Sequence, residues 1–166
     1  MANIDPLRAL RVNIGTTRKE ATDMDARILN RVALIRLYRW AKTEDAKRQR
    51  GLPSEWDQVE WIGYRLDEDG NHCGTVCCLA GKTVMDAGAA PYGHGQLVTS
   101  AMTVFFGAVE LADQTVVEHV PLLAARILGL DPESAEELFF DSHDLAEVRA
   151  SISAILGGDV EALVDA

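Results

Sequence analysis

Glycine and proline cut the second half of the chain into short segments, each with its own start and stop. Pro121 suits the first turn of a helix and Gly129 its end. Asp131-Pro132 reads as the N-cap and first residue of another helix, with Glu133, Glu136 and Glu137 near its positive end. Ser142 reads as the cap of a last long helix through Leu156, ended by Gly157-Gly158, and a terminal turn holds Val160, Leu163 and Val164. Upstream, Thr22 or Asp23 caps a helix running to about Arg48, stopped by Gly51 and Pro53. Thr75 caps one through about Ala87, stopped by Gly88. A chain punctuated this way is expected to be mainly α: a compact helical domain with at most a small β-hairpin. Residues 1–20 lack sustained periodicity and read as an N-terminal arm, and 21–166 as a single helix-rich globular domain.

In the helix 22–48, Leu29, Ala33, Leu37 and Trp40 share one face, while Arg27, Arg31 and Lys42 cluster opposite with Tyr38 among them. Ile28, Val32 and Ile35 widen the apolar surface, so this helix is either largely buried or offers a second side to a partner. The segment Trp56 to Leu66 suits a short strand or a loose helical turn. Asp67 to Asn71 is a turn by composition, without the alternating ligands of a calcium loop. Thr103 to Phe106 and Thr115 to Val117 are rich in β-branched and aromatic residues. They suggest a hairpin turning near Ala112-Asp113-Gln114, with helix as the rival reading for the first.

At 166 residues the chain can close one core without staples. Its apolar runs fall short of the ~20 residues of a membrane span. The start, Met1 to Asp5, has neither a basic nor an apolar leader region, so neither membrane attachment nor a signal peptide is expected. Charge is split along the chain. Residues 1–50 carry twelve Lys/Arg against six Asp/Glu, and residues 51–166 carry four against twenty. The acidic part repels a polyanion, which makes nucleic acid an unlikely partner. A basic helix docking on the acidic body of its own molecule accounts for the asymmetry, and an acidic face can equally receive a basic protein.

All three cysteines fall within six residues, in His72-Cys73-Gly74-Thr75-Val76-Cys77-Cys78. So close a cluster in a chain without a leader points to reduced thiols in a cytoplasm. A helix starting at Thr75 puts Cys77 and Cys78 in its first turn, where unpaired N–H groups favour a thiolate. A thiol-dependent hydrolase or transferase would then use Cys77 or Cys78 with His72, or a distant histidine, as base. A zinc site would draw on His72, Cys73 and Cys77, but structural zinc takes two separated ligand pairs, and here a remote ligand such as His94 is needed. A redox pair, Cys73 with Cys77, lacks the usual Cys-x-x-Cys spacing. The reading preferred is structural: small buried thiols beside Gly81, where another element crosses closely, with Gly74 in the turn. No cofactor and no catalytic residue is called for.

The stretch Cys73-Gly74-Thr75-Val76-Cys77-Cys78-Leu79-Ala80-Gly81 resembles a Cys-Gly-Thr-x-x-Cys-x-x-Gly motif of small proteins from actinobacteria and their phages. Cys73, Gly74, Thr75, Cys78 and Gly81 take the motif positions. A tryptophan-bearing segment precedes the motif, as Trp56 to Trp61 does here, and a segment like Ile127-Leu128-Gly129-Leu130 with Ala135 and Leu138-Phe139-Phe140 follows it. Lys82 stands where that family often has His or Trp. The resemblance implies a phage or bacterial cytoplasmic accessory protein and transfers no catalytic residue.

The remaining motifs are weak. His94 lies between glycines without the strand–loop–helix context of a phosphate site. His119 and His143 read as ordinary surface or half-buried side chains. The paired helices near 121–140 mimic a helix-turn-helix, but the second carries three glutamates and no basic residue. The expectation is a non-enzymatic protein that binds another protein, host-encoded in the phage case. Its surfaces would be the basic side of the first helix (Arg27, Arg31, Lys42) and the acidic region of Glu133, Glu136 and Glu137.

Overall fold

The computed structural model describes residues 28–57, 61–98, 103–142, 144–158 and 160–164. The expected N-terminal arm, Arg27, His143 and the side chains of His72 and Cys73 lie outside the described residues.

The first described helix, α1 (Arg31–Gln49), begins at Asn30, whose side chain accepts from Ala33 N at 3.1 Å. It stops at Arg50, where Gly51 takes a left-handed φ of 68°. Its buried side is Leu34, Leu37, Tyr38, Ala41 and Glu44. That differs from the expected stripe. Tyr38, grouped with the basic residues by sequence, is buried, and Ala33 and Trp40 only flank the core. Ile28 and Val32 are 90% and 62% exposed. The helix has apolar residues on more than one side, so its neighbours, not its own periodicity, choose which side is covered.

The expected helical domain is corrected here: the fold mixes α and β, with seven strands in two antiparallel sheets among the described residues. Strands β1 (Ile62–Leu66) and β2 (His72–Cys77) form a hairpin, Tyr64 opposite Thr75. Its turn is built by Asp67, whose carboxylate accepts from the N–H groups of Asp69 and Asn71. After helix α2 (Leu79–Asp86) come β3 (Ala90–Tyr92), β4 (Gln96–Val98), β5 (Thr103–Phe106), β6 (Ala108–Glu110) and β7 (Val116–Val117). The first sheet runs β2-β1-β5-β4 and the second β3-β6-β7. The expected hairpin between 103–106 and 115–117 does not form. Phe106 ends a strand paired with β1, and β7 pairs instead with β6 across the turn at 112–114. A single residue, Gly107, separates β5 from β6, so the chain changes sheet there.

The helical half follows its caps more closely. Helix α3 (Val120–Leu128) has Pro121 in its first turn and Gly129 in the left-handed region at φ 70°. Asp131 caps the short α4 (Pro132–Glu136) through Ser134 N, at 2.9 Å. The chain then widens into a π-helical turn, Glu137–Asp141, that periodicity does not foretell. Ser142 closes that turn rather than capping the next helix. Asp144 caps α5 (Leu145–Leu156) in a reciprocal capping box with Glu147. Gly157 ends α5, and the turn α6 (Glu161–Val164) follows. The core gathers Leu34 and Leu37 of α1, Ile62, Val109, Ala124, Leu128, Leu138, Val148 and Ile152. No helix among the described residues is long and apolar enough to cross a membrane.

Candidate functional site

The cysteine segment is a strand-to-helix junction. Cys77 is the last residue of β2, and Cys78 is the N-cap of α2, with extended backbone and a sulfur that accepts from Gly81 N at 3.4 Å. Thr75, expected to be the cap, is instead half-buried inside β2. The strand continues to Cys77 because both its edges are engaged. Ile62 pairs with Cys77 on one side. On the other, Cys77 N donates to Glu55 O at 2.7 Å and its carbonyl accepts from Asp57 N at 3.1 Å. Gly74 lies within the same strand, not in a turn before a cap.

This placement governs the thiols. Cys78 does stand at a helix start, where N–H groups favour the thiolate, but it is 2% exposed, as is Cys77. Burial pushes the Cys78 thiol up to about 11, and the N–H donors of Gly81 and Ala80 offset only part of that. Burial, reinforced by neighbouring Cys78, pushes Cys77 up to about 12. Both are free thiols that share one core with Trp56 and the buried side of α1. Among the described residues no group of three His, Cys, Asp or Glu side chains converges as a metal site would require. Gly81 sits at the crossing: a Cβ there would lie 1.7 Å from the carbonyl oxygen of Trp61, which also accepts from Cys78 N at 3.3 Å.

A second polar centre braces the same junction and was not singled out from sequence. Glu44 of α1 is 1% exposed. Its carboxylate accepts from Lys47 Nζ at 2.6 Å, Ser54 Oγ at 2.9 Å and Glu55 N at 2.6 Å. Burial raises the Glu44 pKa, but the three donors together outweigh it and hold the carboxyl below its usual range. The guanidinium of Arg65 donates to Ser54 O, and Trp40 Nε1 donates to Glu55 Oε2 at 3.3 Å. The visible signal was an acidic residue at i+3 and i+7 from the apolar Ala41 and Leu37. A charge at that spacing on a buried face needs donors.

The expected interaction residues separate into two groups. Arg31 donates to Leu156 O at 3.4 Å, and Lys42 pairs with Glu161 at 2.8 Å. Arg39 reaches Val164 O at 3.5 Å, and Asp45 pairs with Arg149 at 2.8 Å. The basic side of α1 thus docks on α5 and α6 of its own molecule. Glu133 and Glu136, in contrast, are exposed on α4, and their carboxylates make no ion pair or hydrogen bond among the described residues. Glu137 is also exposed and accepts from Ser151 Oγ at 3.1 Å. One turn on, Phe140 is 54% exposed and meets Trp61 edge-on, with ring centroids 6.2 Å apart. Phe140 is a surface residue that sequence reasoning did not single out, and half-buried Trp61, packed against the core, supports it. The chain matches no family model, and no curated protein or solved structure is significantly similar to it.

Proposed function

We propose that this chain is a non-enzymatic accessory protein, phage or bacterial, that acts in the cytoplasm by binding another protein through the surface of α4 and the π-helical turn. The observation that carries the reading is Phe140, an exposed aromatic resting on Trp61 and flanked in sequence by Glu133, Glu136 and Asp141. An exposed aromatic with a charged rim is the composition of an interface centre. The internal docking of Arg31 and Lys42 supports the acidic surface over the basic one. The burial of Cys77 and Cys78 supports a structural part for the motif over thiol chemistry. The expected partner surface is basic, and charge steering makes the encounter sensitive to salt. The phage or bacterial origin rests on the motif resemblance alone.

A photo-crosslinking amino acid placed at Phe140, compared with the same group at exposed Tyr92 on β3, tests this in a bacterial lysate. A discrete adduct at Phe140, weakened by salt and by Glu133→Lys with Glu136→Lys, is expected. No adduct at Phe140, or the same adducts from both positions, rejects the reading.

A further inference from the structure

A groove of about 140 Å³ opens between α1, α2 and α3, on elements other than the α4 surface. Its apolar lining is Ala33, Leu37, Ala87 and Ile127. The polar groups of its wall are engaged internally. Asn30 donates from Nδ2 to Ile127 O at 3.2 Å, Thr83 Oγ1 donates to Leu79 O at 2.8 Å, and Asp86 holds Lys82 at 2.5 Å. Arg36 also lines the groove, is exposed, and has no hydrogen-bond or ion-pair partner among the described residues. One turn before it, Val32 is largely exposed, and Ile28 precedes the helix, also exposed.

Such a site offers one exposed cation, an apolar lining and room for a side chain of leucine size. Lys82 offsets the charge of Asp86, which leaves Arg36 to set the sign of the groove. A guanidinium takes a carboxylate through paired, charge-assisted hydrogen bonds. We propose that the groove receives an acidic–aliphatic segment of a partner protein. One leucine-like side chain enters among Ala33, Leu37, Ala87 and Ile127, and an adjacent carboxylate meets Arg36, while Val32 extends the apolar contact. The proposal does not depend on the Phe140 surface and identifies a second, oppositely charged contact built by other residues.

The test is an NMR titration of the full-length, ¹⁵N-labelled protein with three blocked tetrapeptides: acetyl-Ala-Glu-Leu-Ala-amide, acetyl-Ala-Lys-Leu-Ala-amide and acetyl-Ala-Glu-Ala-Ala-amide. The Glu-Leu peptide is expected to shift the amides of Ala33, Arg36, Thr83 and Ala87 saturably, and the other two are not. Arg36→Glu, a surface change that leaves the core intact, is expected to weaken that response by about tenfold or more and to transfer it to the Lys-Leu peptide. No saturable shift with the Glu-Leu peptide, equal shifts from all three, or an unchanged response in Arg36→Glu overturns the proposal.

Discussion

The carbonyl oxygen of Trp61 occupies the space that a side chain at residue 81 would need: a Cβ on Gly81 would lie 1.7 Å away. Because the obstacle is backbone, and Trp61 O already accepts from Cys78 N, neither side yields without moving β1 or α2. Gly81→Ala is therefore expected to destabilise the fold by at least the ~1–3 kcal/mol usual for overpacking. Urea denaturation measures this directly; an unchanged midpoint would show that the crossing is looser than this geometry.

Glu44 makes the same region sensitive to acid. An unfolded glutamate titrates near about 4.3, and the folded one lies lower, so the unfolded chain binds the proton first. The carboxylate's contribution is complete above the unfolded value and is lost as pH falls through the folded one. Glu44→Gln is expected to cost about 1–3 kcal/mol at neutral pH, by mismatching the donors of Lys47 and Glu55. The gap between variant and wild type should narrow as pH falls below the unfolded value and through the lower folded one. Paired urea titrations across that range check it, and a gap independent of pH contradicts the assignment.

The thiols of Cys77 and Cys78 are expected to resist alkylation in the native protein. Burial removes access and, with values near 12 and 11, leaves almost no thiolate at neutral pH. Both should react readily once the chain unfolds. Peptide-level mass spectrometry after timed iodoacetamide labelling distinguishes the two positions. Labelling of either one in the native state, faster than a free thiol at mildly acidic pH, would restore the thiol-enzyme reading.

Ion pairs tie α1 to the C-terminal helices, and exposure ranks two of them. The Asp45–Arg149 pair is 24% exposed on both sides, while Lys42–Glu161 is 39% and 42% exposed. Double-mutant cycles should give coupling energies within about 0–1 kcal/mol for both, larger for Asp45–Arg149 and more easily screened by salt for Lys42–Glu161. The reverse order would mean that Arg149 is held by its packing rather than by its charge.

The helix ends were legible because the chemistry that makes them is local. Gly129 and Gly157 each take a left-handed conformation at the end of a helix, and Asp131 caps the helix that Pro132 enters. A cap needs only the next few residues, so a short stretch of sequence contains everything that decides it. The cysteine junction was legible in part: the close crossing at Gly81 follows from a small residue on a buried face, but the residue that caps the helix does not. Thr75 and Cys78 both precede the helical run, and Thr75 is the better capping chemistry. The choice fell to Cys78 because Ile62, Glu55 and Asp57 hold β2 extended as far as Cys77.

Tertiary structure alone decided the sheets and the outward faces. Strands of two to six residues carry too few alternations to declare themselves, and their partners lie far along the chain, as Ile62 and Phe106 do. The same holds for α1, whose several apolar sides left its buried one undetermined until α5, α2 and the Ser54–Trp56 segment closed around it. The sequence by itself determined where helices end and which small residues must be buried. Pairing, facing and the separation of the basic side from the acidic surface depend on distant residues meeting, and no local pattern encodes a meeting at that range.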